Sequence, residues 1–187
     1  MIYRLFQINK ELLNRELNLI SQEAYITDMN TRFKNESPKI HSEVYDKEKP
    51  PVLEPGDEIC NIDEIQGIDK SNAITLINIG MEMFLSKESP IQLQKIDSVA
   101  SGLFRKDGIN SALYSRIIDT EHSKILASTL KGRHSSSLLI KSKNIPLNFQ
   151  KTKVLQILLL NPMRDIFSQM AGILFLSLLL SLFCIYC

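Results

Sequence analysis

Apolar residues recur at three- and four-residue steps through the start of the chain, among lysines, arginines and glutamates. The apolar members are Ile2, Leu5, Phe6, Leu12, Leu13, Leu17, Ile20 and Ala24. This spacing places them on one face of an α-helix. We therefore predict an amphipathic helix over residues 1–34, with an apolar stripe that must pack against another surface.

The helical pattern ends in a stretch of charged residues and prolines. Pro38, Pro50, Pro51 and the turn Pro55-Gly56-Asp57 lie within residues 35–57, and such residues interrupt regular structure. We predict a loop at 35–57. A second helix is predicted over about residues 71–86, where the apolar positions Ile74, Ile77, Met81 and Phe84 can share a face.

A third helix carries signals at both ends. Ser89, Pro90 and Gln92 match the pattern of a capping box, in which serine and glutamine satisfy the free amides of the first turn. Gly108 follows the last apolar position, Phe104, and suits the left-handed residue that closes many helices.

Beyond Gly108 the apolar pattern shortens toward the two-residue period of strands. We predict strands at 112–119 and 124–129, joined by a polar turn at 120–123, and two more at 138–143 and 153–160. Strands that follow helices in this order indicate an α+β domain with an antiparallel sheet. The last strand is apolar on both faces, so we expect it to be central or covered by a helix.

The C-terminal segment is the most apolar part of the chain. No Asp, Glu, Lys, Arg or His follows Asp165, and the run from Met170 to Cys187 approaches the length of about 20 residues that a helix needs to cross a bilayer. The alternative is a buried core helix, but such helices usually carry more polar positions. We predict a transmembrane helix at 161–187, with Asn161 as its N-cap and Pro162 as its first residue.

This helix follows the last strand without a flexible linker. A shift in the sheet can then displace the helix, whereas a glycine- and serine-rich linker would absorb it. We therefore predict that Leu160, Asn161 and Pro162 transmit a signal.

Composition excludes several classes of function. The 22 Lys and Arg residues nearly balance the 21 Asp and Glu residues, so no net charge favours nucleic acid as a partner. Cys60, Cys184 and Cys187 suggest neither a disulfide framework nor a zinc site. No nucleotide-binding, nucleophile or metalloprotease motif occurs. We predict no catalytic residue, no metal and no cofactor.

One polar segment is a candidate binding site. Residues 131–137 combine basic side chains with exposed amides, a composition that can bind an anion, although such loops are more often simply flexible. The candidate ligand-sensing residues, chosen by polarity and placement, are Arg116, Lys131, Arg133 and His134.

The run from Lys153 onward, KVLQILLLNPMRDIFSQMAGILFLS, resembles the join between the sensor domain and second membrane helix of two-component sensor histidine kinases of Bacteroides-type bacteria. The upstream order is similar as well: a helix around 91–104, a Lys-Asp-Gly-Ile break, and a hairpin of YSRIID and ILAST. The resemblance covers about residues 89–187, and its motifs are architectural.

The resemblance implies a periplasmic PAS-like sensor domain at 35–160 between two membrane helices, followed by a cytoplasmic kinase core. Since neither the first span nor the kinase motifs occur, we expect the signal-input module of a truncated receptor, with no enzyme activity of its own. It would lie in the bacterial inner membrane, with residues before about 162 in the periplasm. Its expected partners are membrane lipid, a second copy bound through the N-terminal and transmembrane helices, and a small-molecule or peptide cue.

A second hypothesis stays open. The chain would then be a tail-anchored adaptor whose cytoplasmic head recruits a partner through the amphipathic N-terminal helix.

Overall fold

A computed structural model of the chain describes residues 2–36, 73–131 and 139–186, and the predicted loop at 35–57 falls almost wholly outside them. Four helices and five strands follow in the order α1 Ile2–Glu36, α2 Ala73–Glu88, α3 Leu93–Lys106, β1 Ala112–Asp119, β2 Lys124–Ser128, β3 Leu139–Lys141, β4 Ile145–Pro146, β5 Lys153–Leu160 and α4 Met163–Tyr186. The predicted α+β class, with a long N-terminal helix and an antiparallel sheet, is confirmed.

The sheet is built around β5, as its sequence predicts. Its strand order is β2-β1-β5-β3, and β4 also pairs with β5. Every pairing is antiparallel, and β1 runs alongside the full length of β5, from Ala112 opposite Leu160 to Asp119 opposite Lys153. Residues Val154 to Leu159 are all buried, which explains why this strand is apolar on both faces.

The strands β3 and β4 together form one interrupted edge. Between them, Ser142 donates its amide to the carbonyl of Ile157 at 2.8 Å and accepts the Ile157 amide on its hydroxyl at 2.9 Å. A single longer strand at 138–143 was predicted, and β4 was missed. Two residues that include a proline carry no strand pattern, so only their pairing with β5 makes them a strand.

The core lies between one face of the sheet and the helices α1 and α3. It is formed by Leu13, Leu17, Ile20 and Ala24 of α1, Ile96, Ala100 and Phe104 of α3, and Leu155, Ile157 and Leu159 of β5. Burial of each large aliphatic side chain stabilises the fold by about 1.5–3 kcal/mol. Most of the apolar stripe of α1 predicted from sequence is therefore used within the chain itself, but Leu12 is 46% exposed.

The C-terminal end of α3 confirms the role of Gly108. With φ of 76°, Gly108 adopts the left-handed conformation that lacks a steric penalty in glycine. Its amide donates to the carbonyl of Arg105 at 3.1 Å, and the amide of Ile109 donates to that of Phe104 at 3.0 Å. These two bonds satisfy the last carbonyls of the helix, and the buried side chain of Ile109 packs into the core beside them.

The predicted capping box at the other end of α3 is wrong. The N-cap is Gln92, which makes no side-chain capping bond. Ser89 instead follows α2, where its amide donates to the carbonyl of Leu85 at 2.7 Å. Its own carbonyl accepts a hydrogen bond from Arg32 at 3.1 Å, so tertiary contact assigns this serine to the end of one helix and not to the start of the next.

A buried ion cluster joins α1 to α2 near the far end of α1. Arg32 bonds Asp28 at 2.8 Å and Glu82 at 2.6 and 3.1 Å, and all three side chains are almost completely buried. Burial raises the pKa of Glu82 above its ordinary 4.5, although the hydrogen bonds from Arg32 oppose this shift. The buried hydroxyl of Tyr25 also has its pKa raised, first by burial and then by the charge of Glu82.

Replacement of Arg32 with methionine is expected to destabilise the protein by about 3–5 kcal/mol, because Asp28 and Glu82 would remain buried without their shared cation. Arg15→Met, at an exposed position of the same helix, is the matched control and should change stability by less than about 0.5 kcal/mol. Urea unfolding in mild detergent measures both. Equal effects of the two substitutions would show that the cluster is not structural.

The raised pKa of Glu82 predicts how the free energy of unfolding changes with pH. Since the folded protein holds the proton of Glu82 more tightly than the unfolded chain, this group favours folding most below its ordinary pKa, and that stability is lost as pH rises through the raised value. Glu82→Gln should remove this part of the pH dependence in the same unfolding measurement.

Candidate functional site

The structure joins β5 to α4 through two residues. Leu160 is the last residue of β5 and is paired with both Ala112 and Leu139. Asn161 has φ of 55°, a left-handed conformation that asparagine tolerates better than most residues. The carbonyl of Pro162 accepts the amide of Ile166 at 3.0 Å. The helix therefore begins at Met163, one residue later than predicted, and Pro162 occupies the cap position expected for Asn161.

A carboxylate fixes this junction to the rest of the domain. Asp165, which is only 6% exposed, accepts the backbone amides of Asn110 at 3.2 Å and Ser111 at 3.0 Å. The hydroxyl of Ser111 donates to the carbonyl of Asn161 at 3.2 Å. The start of α4 is thus held by the loop between α3 and β1 as well as by β5. Sequence alone showed Asp165 only as the last charge before the apolar run.

The two halves of α4 have different surroundings. Ile166 and Met170 are buried in the core, and Leu174 is partly buried against it. Every residue from Phe175 to Leu179 is exposed. Five consecutive residues exceed one helical turn, so the helix projects here with no side covered. We call Phe175–Phe183 the outer segment.

The outer segment is apolar, and its serines are satisfied within the helix. Leu176 and Phe183 are 59% and 67% exposed. The hydroxyl of Ser177 donates to the carbonyl of Leu174 at 3.0 Å, and that of Ser181 to the carbonyl of Ser177 at 2.8 Å. Such bonds make serine compatible with an apolar environment. A core helix would instead show a covered face along its whole length.

Among the residues that the structure describes, no single helix has the length and hydropathy of a membrane span. Two segments of α4, Met163–Gly172 and Leu174–Phe183, reach that length and composition together, with an angle of 41° between them.

The first turns of α1 lie at the same end of the domain as this projecting helix. The rings of Phe6 and Phe167 pack in a tilted arrangement with centroids 6.2 Å apart. The C-terminal end of β5 is at this end of the domain too, since α4 begins shortly after its last residue, Leu160. We call this the α4 end of the domain.

Arg116 is a half-buried cation on the face of the sheet opposite the helices. Its neighbour Ser115 points the other way, with its hydroxyl bonded to the carbonyl of Leu93 in α3. The Nε and Nη2 atoms of Arg116 donate to Gln156 Oε1 at 3.1 and 2.6 Å. Gln156 is itself held by the carbonyl of Ser142 at 3.2 Å and by Asn144 Oδ1 at 3.0 Å.

This arrangement leaves the charge of Arg116 without a carboxylate partner in the part of the chain that the structure describes. Burial lowers the pKa of the guanidinium, but arginine remains protonated at physiological pH. The prediction that Arg116 can hold an anionic group is therefore compatible with its surroundings, and Gln156 fixes its orientation. The glutamine was missed because a polar residue within an apolar strand has no recognisable motif.

The other predicted sensing residues are Lys131, Arg133 and His134. Lys131 is exposed beyond the end of β2, whereas the hydrogen bonds of Arg116 go to Gln156. Arg133 and His134 lie outside the described residues. Whether these four residues form one site stays a prediction.

Half-buried Asp119, at the end of β1, lies close to exposed Glu121 and His122 in the following turn. Asp119 accepts the amides of Glu121 and His122 at 3.0 and 3.2 Å and lies 2.9 Å from His122 Nδ1. Its hydrogen bonds with His122 lower the pKa of Asp119 and raise that of His122. These contacts are those of a carboxylate that shapes a turn.

Comparison of the chain with protein-family models, with curated proteins and with solved structures finds no match. Its function must therefore be argued from the geometry described above.

Asp165→Ala tests the junction. The amides of Asn110 and Ser111 would lose a charged acceptor, at an expected cost of about 1–3 kcal/mol, and both should exchange hydrogen faster. Asp107→Ala is the matched control, since Asp107 is an exposed acid on the adjoining loop, and its replacement should leave both amides unchanged. Hydrogen exchange followed by mass spectrometry measures the difference, and unaltered exchange in Asp165→Ala would contradict a pinned junction.

Proposed function

We propose that this chain is the signal-input module of a membrane-bound receptor of the two-component histidine kinase type. The module detects a cue on a small α+β domain and passes the change into a helix in the bilayer. The observation that carries the proposal is helix α4, which begins two residues after the central strand and whose outer segment is apolar, with every residue from Phe175 to Leu179 exposed.

The exposure of the outer segment supports a membrane location. Contiguous apolar surface of this kind is unfavourable in water and marks a protein or membrane interface. An outer segment in lipid would satisfy it, with no charged side chain to bury and with serines already bonded to the helix backbone. The bacterial inner membrane, with the domain on its periplasmic side, is the proposed location.

The hydrogen bonds at the junction between β5 and α4 support transmission of a conformational change from the sheet to the helix. No flexible linker separates β5 from α4. Asp165 and Ser111 also hold the start of α4 against the neighbouring loop, so a displacement of β5 is passed to the helix. The sheet and the first half of α4 therefore move together, and Leu160, Asn161 and Pro162 remain the proposed route. Arg116 lies on the face of the sheet opposite the helices. An anionic group bound to Arg116 would act on β5 through the hydrogen bonds between Arg116 and Gln156.

A second apolar line on α1 supports pairing of two copies. Leu12, Leu19 and Ile26 are exposed and seven residues apart, and exposed Ile8 lies on the same face, away from the core. Apolar residues at every seventh position form one of the two sets that line the seam of a coiled coil. Parallel pairing of two copies along this line would place both α4 helices in the same membrane.

The buried stripe of α1 also bears on the adaptor hypothesis. That hypothesis requires the amphipathic face of α1 to recruit a partner, but Leu13, Leu17 and Ile20 already pack into the core of the domain. The exposed apolar residues that remain on α1 cover a narrower strip than the buried stripe, and their seven-residue spacing suits contact with the same helix of a second copy.

Topology is tested by thiol labelling in the protein expressed from its own gene, with the native cysteines Cys60, Cys184 and Cys187 replaced by serine. Ala127→Cys, at an exposed position of β2, should react with a membrane-impermeant maleimide in intact spheroplasts. Leu179→Cys, in the outer segment, should not react until detergent dissolves the membrane. Labelling of Ala127→Cys only after lysis would reject the periplasmic domain and favour the cytoplasmic adaptor.

Pairing is tested by Leu19→Glu, which sets two carboxylates opposite each other in a symmetric parallel dimer. We expect the dissociation constant of the dimer in detergent to rise at least about tenfold, equivalent to about 1.4 kcal/mol. Ile74→Glu, at an exposed apolar position of α2, is the control and should have no effect. Analytical ultracentrifugation measures both, and a wild-type protein that is monomeric at high concentration would overturn this mode of pairing.

A further inference from the structure

A groove lies between α1 and β3 at the α4 end of the domain. Its larger part has a volume of about 270 Å³ and its smaller part about 150 Å³. The two parts share Lys10, Leu139 and Ile140 in their lining, so they are adjacent. Neither part contains a residue used in the junction bonds of Asp165.

The groove is apolar at one end and polar at the other. Its smaller part is lined by Phe6, Pro162, Met163 and Ile166 in addition to the shared residues. Its larger part is lined by Lys10 and Lys141 with the amides of Gln7 and Asn14, and by one carboxylate, Glu11. The groove thus has an apolar floor and a cationic rim.

On both α1 and β3, the lysines of the rim lie farther from α4 than the apolar residues of the floor do. On β3, Leu139 lies opposite Leu160, the last residue before the junction, whereas Lys141 lies opposite Leu158. On α1, Lys10 follows Phe6 by about one helical turn, or roughly 6 Å, and Phe6 packs on Phe167 of α4. If the outer segment lies in lipid, the floor lies on the membrane side of the groove, and the lysines lie farther from the bilayer centre.

We propose that this groove binds one anionic phospholipid, with its phosphate between Lys10 and Lys141 and its glycerol and upper acyl carbons against Phe6 and Met163. This inference rests on the proposed membrane location of α4. An anionic lipid is favoured over free phosphate because the apolar floor has no role for an inorganic ion, and its residue Phe6 packs against the exposed Phe167. Basic groups at the surface of a membrane attract anionic lipids in general, and here two of them border a single groove.

The experiment uses the full chain in lipid nanodiscs of phosphatidylcholine alone, or with a quarter of the lipid replaced by phosphatidylglycerol. Native mass spectrometry after transfer to detergent counts the phosphatidylglycerol retained on each chain. The wild type should retain one molecule. Lys10→Gln with Lys141→Gln should weaken retention by about 25-fold, at about fivefold for each lysine.

Two further variants separate the groove from general surface charge and from misfolding. Arg105→Gln with Lys106→Gln removes the same charge from the exposed last turn of α3 and should retain the lipid. Lys10→Arg with Lys141→Arg keeps the charge and should also retain it. Equal loss in the α3 variant would overturn the proposal, because the binding would then be non-specific.

The remaining outcomes are equally decisive. Displacement of the lipid by inorganic phosphate would show that an anion site exists without lipid selectivity, and would overturn the assignment to a phospholipid. Insertion into both kinds of disc without retained phosphatidylglycerol would reject this inference and leave the proposed function standing. Failure of the chain to enter either disc would reject the membrane proposal and this inference with it.

Discussion

The central strand β5 is the constraint on which the rest of the structure depends. It is hydrogen-bonded to β1 on one side and to β3 and β4 on the other, and its residues Val154 to Leu159 are buried. Its helix-facing side chains Leu155, Ile157 and Leu159 complete the core under α1 and α3. Because α4 begins two residues after this strand, a strand with six consecutive buried residues is also the element that leads into α4.

Two groups of buried polar contacts hold secondary-structure elements together. Arg32 fixes the far end of α1 to α2 through two carboxylates, whereas Asp165 fixes the start of α4 to the loop after α3. Both are buried, and a buried charge is stable only when its partners are in place. The far end of α1 and the start of α4 are therefore each fixed by a buried charge with different partners.

Two of the sets of exposed apolar residues have distinct geometry. Those on α1 form one line with a seven-residue period, which suits a second helix. Those on the outer segment of α4 cover all sides, which suits a continuous apolar medium more than a single partner. The groove at the base of α4 is lined by other residues of these two helices and by β3, and its two lysines give it a charge that neither set possesses.

The sequence by itself determined the elements whose patterns are long and regular: α1, the equal-length strands β1 and β5 with predicted bounds 112–119 and 153–160, and the glycine that ends α3. Local periodicity suffices there, because one side of each element must be apolar wherever it packs. Tertiary structure alone decided that Ser89 ends α2, that Ile145–Pro146 is a strand, that Gln156 holds Arg116, and that Arg32 and Glu82, fifty positions apart, share a buried site. Each of these depends on a partner distant in the chain, which no local pattern contains.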